Sequence, residues 1–234
     1  MIITKLFEVE SAHIVRNCTS HRCSHSIHGH SAKIEISFEG SHLDNAGMLV
    51  DFGLLKGTVK EFIDSMDHCY LLCSKDDETF KNNIKTACYR WIELPFNPSA
   101  ECLALFVHFF VNYIIRKTKF MNGEPSDLHV KSVRYWETRT GSATTSEEDL
   151  QTMWKSEWTN VVLSKGVTED WSDALVGVLA RGEEVTNPII PQQINLTPVQ
   201  EPSVKVEGSQ VETEEDKKDV EEGSQVETEE ESNE

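Results

Sequence analysis

The most restrictive feature of the chain is a period-two alternation over residues 28–39. His28, His30, Ala32, Ile34, Ile36 and Phe38 fall on one parity, opposite Lys33, Glu35 and Glu39. Successive side chains of a strand point to opposite faces, so this pattern predicts a strand whose apolar face runs on into two histidines. Residues 5–13 predict the strand before it, with Phe7, Val9, Ser11 and His13 on one parity. The two form a hairpin joined by a polar, Cys- and His-rich connection, Val15 to Ile27.

Leu55, Val59, Phe62, Ile63 and Met66 recur at helical spacing and predict a helix from about Phe52 to Met66, capped by Asp51. A longer helix is expected after Asn97-Pro98, taken as cap and first-turn pair, running to about Lys117 with Leu103, Phe106, Val107, Phe110 and Ile114 as its buried stripe. Ser74 to Pro95 reads as a long polar connection. Leu128 to Glu137 predicts a strand, and Ala143-Thr144-Thr145 the start of its hairpin partner. The order strand, strand, helix, helix, strand, strand implies an α+β fold.

Residues 1–150 are expected to form one domain. Trp154, Trp158 and Trp171 imply that residues 151–187 are an extension packed on it, of no assignable form. From Pro188 there are four prolines within fifteen residues, and residues 207–215 and 222–230 are both EGSQVETEE. Without large apolar residues such repeats bury no core, so residues 188–234 are expected to be a disordered acidic tail.

Residues 201–234 hold fourteen acidic residues against three lysines, so −11 of the formal charge of −18 lies there. What remains offers no broad basic face for a nucleic-acid backbone, so no direct nucleic-acid partner is expected. The N-terminus lacks the basic start and apolar run of a signal peptide, and no window approaches the ~20 apolar residues of a membrane span. The expectation is a cytoplasmic protein without a membrane partner, whose six cysteines are free thiols.

His28-Gly29-His30 places two imidazoles on one strand face, with Cα atoms roughly 6.5 to 7 Å apart. His13 lies on the inward parity of the preceding strand, where hairpin pairing brings it alongside. Three neutral histidines with an open fourth position are the donor set of a catalytic zinc site; three unrelated histidines would share the same spacing. Cys23, five residues before His28, is either a base whose pKa the metal lowers or a fourth ligand that closes the site, with Cys18, His21 and His25 as competitors. Asp67-His68 would serve equally as a helix-end pair, and Ser99 and Glu101 are both favoured for local reasons at a helix start.

Six phrases in order across residues 3–145 resemble the 6-pyruvoyltetrahydropterin synthase and 6-carboxytetrahydropterin synthase family. They are FEVESAH ending at His13, CSHSIHGHS from Cys23 to Ser31, GMLVDF from Gly47, MDHCYL from Met66, NPSAE from Asn97, and WET from Trp136. The resemblance implies the tunnelling fold, in which an antiparallel four-stranded sheet with two helices on one face closes with other subunits into a barrel. It further implies active sites between subunits of a homo-oligomer, expected to be a hexamer of two trimeric rings. His13, His28 and His30 match the zinc ligands, Cys23 the catalytic cysteine, Asp67 and His68 its proton-transfer partners, and Glu137 the pterin-anchoring carboxylate. Ser99 and Glu101 fall among the substrate-binding positions.

The phrasing is closer to the carboxy-forming branch. It implies a lyase that converts 7,8-dihydroneopterin triphosphate to 6-carboxy-5,6,7,8-tetrahydropterin, on the route to 7-deazaguanine compounds such as queuosine precursors. A 6-pyruvoyltetrahydropterin synthase is the alternative within the family, and a non-catalytic zinc-binding interaction protein the alternative outside it.

Overall fold

A computed structural model describes residues 1–187 of the chain. The prolines and acidic repeats after Asn187 lie outside the described residues, and with them the expectation of a disordered tail.

β1 (Ile2–His13) and β2 (His28–Glu39) pair antiparallel along their whole length, from Ile2 opposite Glu39 to His13 opposite His28. On the inward parity Phe7, Val9, Ala32, Ile34, Ile36 and Phe38 are buried, as the alternation requires. β6 (His129–Trp136) pairs with β2 and β7 (Ser142–Ser146) with β6, both antiparallel, which completes the expected four strands. Across the inner face lie α2 (Thr58–Asp64) and α4 (Ala100–Lys117), joined by Phe62, Phe106 and Phe110 at ring separations of 4.9 to 5.6 Å.

The sheet is nevertheless larger than four strands. β3 (Cys69–Cys73) and β4 (Trp91–Leu94) continue it in parallel from β1, and β8 (Val162–Leu163) closes the series, giving the order β7-β6-β2-β1-β3-β4-β8. Ser74 to Pro95, expected as a polar connection, instead carries α3 (Glu78–Ala87) and β4. The reason is legible in hindsight. All five residues of β3 are buried, because it has neighbours on both sides and cover on both faces, so its sequence shows no alternation. α3 buries only Lys81 and Ile84, too thin a stripe to announce a helix.

The first helix is also shorter than expected. Leu54–Lys56 forms a 3-10 turn, and Gly57, at φ −84° and ψ −124°, breaks the run before α2 starts. Asp51 does not cap α2 but turns the preceding loop, its carboxylate accepting from the Gly53 N–H.

Residues 147–187 fold over the helices as α5 (Glu147–Met153), a 3-10 turn at Ser156–Thr159, β8, α6 (Lys165–Thr168), α7 (Asp173–Arg181) and β9 (Val185–Asn187), which pairs with β5 (Thr118–Phe120). The three tryptophans have distinct seats. Trp154 stacks on Phe109 at 4.2 Å, Trp158 meets Phe96 at 4.6 Å, and the Trp171 indole donates to Ser65 Oγ at 2.7 Å. Among the described residues no helix is long and apolar enough to cross a membrane. All six cysteines are free.

Candidate metal centre and active site

Strand register alone gathers the histidines. His13 stands directly opposite His28, and Ser11 opposite His30, so three imidazoles leave one face at the end of the hairpin. Their ring centroids lie 4.7 to 5.2 Å apart, and one ligand nitrogen from each falls within 4.8 Å of the others. Gly29, between two of them, faces the other way, where a Cβ would come 3.0 Å from the Ser11 carbonyl oxygen.

Two of the rings also have an outer partner. His28 Nδ1 meets the Ser26 carbonyl oxygen at 3.0 Å, which leaves Nε2 as its free ligand atom, and the His13 ring is bonded to the Pro98 carbonyl. Such bonds fix ring orientation and tautomer in metal sites. Burial, reinforced by the neighbouring His28 and His30, pushes the His13 pKa down to about 4 against the pull of the Pro98 carbonyl, so the ring is neutral and able to donate to a metal. The Nε2 atoms of His13 and His30 are buried without a hydrogen-bond partner. Orphaned buried nitrogens of this kind are costly unless something else binds them, and a nitrogen-preferring cation fits the donor set. Across the cluster, Glu137 Oε1 lies 3.6 Å from His13 Nε2 and 3.8 Å from His30 Nε2. Glu137 follows β6 and opens the turn to β7, whose corner is tied by the Gly141 N–H donating to Thr138 Oγ1 at 2.9 Å.

Asn97, Pro98 and Ser99 do three separate jobs. The Asn97 amide clamps the backbone of Arg16, accepting from its N–H at 2.9 Å and donating to its carbonyl at 2.6 Å. Pro98 holds His13. Ser99, rather than Asn97, caps α4, accepting from the Cys102 N–H; Asn97 is already committed to Arg16, so the helix begins after Ser99 and not after Asn97. Glu101 is exposed in the first turn. Arg16 in turn reaches Asp76 at 2.6 Å and the Ser24 carbonyl at 3.1 Å, pinning the short helix α1 (His21–His25) that carries Cys23. The Cys23 carbonyl accepts from the Val15 N–H at 3.0 Å, and its thiol is half-buried; Cys18 lies earlier in the same connection, its thiol on the Ser20 carbonyl.

Asp67 and His68 are joined, Oδ2 to Nδ1, at 2.8 Å. Partial burial works to raise the Asp67 pKa, but bonds from the Glu10 N–H and the His68 ring outweigh it and hold the carboxyl below its usual range. No hydrogen bond or ion pair among the described residues joins this pair to the histidine cluster. His68 lines a cleft of about 580 Å³ together with Glu10, Ala12, Gly29 and Ser31 of the outward parity and with Ser11 and His30 of the inward one. Within one chain, then, the sheet brings His13, His28, His30 and Glu137 together, and Asp67 and His68 stand apart from them beside Glu10.

A sheet end that presents three imidazoles and a carboxylate, with two imidazole nitrogens lacking partners, offers a donor set that could hold a metal ion on an α+β scaffold. The family model described as 6-pyruvoyl tetrahydropterin synthase matches residues 2–148. A 6-carboxy-5,6,7,8-tetrahydropterin synthase from Helicobacter pylori strain J99 is 36% identical over 176 residues, covering 74% of this chain and 88% of that protein. One of the same name from Aquifex aeolicus is 26% identical over 162 residues, 62% of this chain and 98% of that protein. An uncharacterized protein from Wolinella succinogenes shares the fold with a TM-score of 0.51 at 20% identity, covering 63% of this chain and 98% of its own. The chain belongs to the 6-pyruvoyl tetrahydropterin synthase family. The Helicobacter alignment is longer than the family model's match and so runs on into the C-terminal extension.

Proposed function

We propose that the protein is a cytoplasmic, zinc-dependent 6-carboxy-5,6,7,8-tetrahydropterin synthase. It would take 7,8-dihydroneopterin triphosphate, release acetaldehyde and triphosphate, and supply the route to 7-deazaguanine compounds such as queuosine precursors. The observation that carries this reading is the pair of buried, partnerless nitrogens on His13 and His30 facing Glu137, in a chain whose 36% identical relative bears that enzyme name.

His13, His28 and His30 are the proposed zinc ligands; the metal, when bound, would polarise the side-chain hydroxyls of the substrate and make the adjacent C–H more acidic. Glu137 accepts the two N–H donors on the amidine-like edge of the pterin as a bidentate pair. Cys23 acts as base. Asp67 fixes His68 through Nδ1, leaving Nε2 to carry a proton to or from the substrate. Ser99 and Glu101, at the start of α4 beside Pro98, line the substrate side of the site.

Because no hydrogen bond or ion pair joins Asp67 or His68 to the imidazoles within one chain, the pair from one subunit serves the cluster of another, and the assembly is part of the active site. Two strand edges support such an assembly. β1 carries β3 only along Ser11–His13, and β7 ends the sheet on the other side. Edges of this kind pair with other chains, and a hexamer of two trimeric rings pairs them all.

The test is to incubate the purified protein with enzymatically made dihydroneopterin triphosphate, measure bound metal, and identify the product by mass spectrometry. The expected result is about one zinc per chain and the 6-carboxy product. A 6-pyruvoyl product would move the chain to the sibling reaction, and full zinc with no substrate consumed would make it a zinc-binding interaction protein.

A further inference from the structure

His68 has a left-handed backbone, φ 51°. For a residue with a Cβ this conformation costs on the order of 1–2 kcal/mol and persists only where its surroundings over-determine it. On one side the restraint comes from β1, where the Glu10 carbonyl accepts from the His68 N–H at 2.6 Å and the Glu10 N–H donates to Asp67 Oδ1 at 2.7 Å. On the other side it comes from Arg90, which neither the family motifs nor the chemistry of the cluster singles out.

Arg90 Nε donates to the Asp67 carbonyl at 3.0 Å, and Nη2 donates to the Asp64 carbonyl at 2.9 Å, which also accepts from the Asp67 N–H at 3.0 Å in the turn after α2. The remaining arm, Nη1, reaches the C-terminal extension, the Gly166 carbonyl at 2.5 Å and Asp170 Oδ2 at 2.6 Å. One planar guanidinium thus bridges the corner that presents His68 and a segment beyond the region that the family model matches. The extension is itself seated firmly there. A Cβ on Gly166 would come within 2.5 Å of the Tyr89 carbonyl oxygen, Tyr89 donates to Glu169 at 2.5 Å, and Ser164 exchanges two 3.0 Å bonds with Trp91.

We propose that Arg90 is a positioning residue for the Asp67–His68 pair, anchored by Gly166 and Asp170 of the C-terminal extension. This rests on the proposed role of Asp67 and His68 in proton transfer. The hydrogen bonds of Arg90 go to the corner and the extension, and through the Asp67 carbonyl it sets where the His68 ring points. A lysine there would keep the charge but not the fork that reaches three carbonyls and a carboxylate together.

The test uses the full-length, zinc-loaded enzyme and dihydroneopterin triphosphate. Arg90→Ala should lower kcat about 10- to 100-fold, the size of loss that follows a small misplacement of a reacting group, with KM, zinc content and oligomeric state unchanged. Added free guanidinium should restore part of the lost kcat, a response that general loosening of the fold would not give. Asp170→Ala, at a carboxylate 69% exposed, should lower kcat severalfold.

His68→Ala is run beside them. Full turnover in His68→Ala would remove the underlying role of the pair. A dead His68→Ala alongside wild-type kcat in Arg90→Ala would overturn the positioning proposal alone. If Arg90→Ala does not fold, Arg90→Lys replaces it, and wild-type kcat there overturns the proposal equally.

Discussion

The hairpin end and the Asp67–His68 corner hold their side chains in different ways. At the hairpin end, ladder pairing sets the spacing of His13, His28 and His30 before any side chain is considered. At the corner, a left-handed residue is kept in place by bonds from Glu10, Arg90 and, through Arg90, the distant Gly166. The first arrangement is local in sequence and rigid. The second is assembled from segments as far apart in sequence as Glu10 and Gly166. Metal binding should therefore be robust to changes that disturb catalysis, and substitutions should sort the two regions.

The largest effect is expected at the hairpin. His28→Ala should lose both zinc and turnover, since removal of one of three ligands leaves two buried imidazoles without a shared ion; elemental analysis of protein purified without added metal checks it, and full zinc occupancy would break the ligand set. Cys23→Ala should lose about 10²- to 10⁴-fold in kcat, the usual worth of a positioned acid or base, yet keep its zinc. Cys18→Ala should remain active. Metal loss in Cys23→Ala would mean a closed structural site, and loss of activity in Cys18→Ala with an active Cys23→Ala would exchange the two cysteines.

A more moderate effect is expected from acid on the metal-free protein. Burial and the other two histidines hold His13 neutral down to about pH 4, whereas its ordinary pKa is 6.5. Between those values the unfolded chain binds the extra proton and the folded chain does not, so the His13 contribution makes stability fall as pH drops from about 6.5 to 4 and adds no further loss below. His108 adds to the same trend. It is buried in α4, bonded to the Val130 carbonyl and Thr145, and burial lowers its pKa. Melting temperatures across this range should fall with acid in the metal-free protein, and a flat profile would contradict the burial of His13.

The smallest effect is expected from the tail. A chain ending at Ile190 should keep zinc content, oligomeric state and turnover near those of the full-length protein. Aggregation or lost activity would show that the acidic repeats contribute to one region or the other.

What was legible in the sequence follows the same divide. The β1–β2 hairpin, α4 and the β6–β7 hairpin announce themselves through alternation or a wide apolar stripe, whereas Glu137 is marked only by the family resemblance. β3 and α3 do not, because a strand covered on both faces has no alternation and a helix burying two residues has no stripe. The placement of His68 beside Glu10 also escapes the motif, since it depends on where β3 joins β1. Arg90 was missed because nothing nearby in sequence marks it. Its partners come from α2, from Gly166 and from Asp170, and only the folded chain brings them together.

β8 has a consequence of another kind. It is two residues long and pairs with β4 only through Leu163 opposite Ile92 and Val162 opposite Glu93. An uncovered β4 would offer its backbone as a template on which further chains could add strand by strand, the usual first step of aggregation. A two-residue rung is too short to propagate that growth. The extension therefore ends the sheet beside β4 with a rung too short to recruit another molecule.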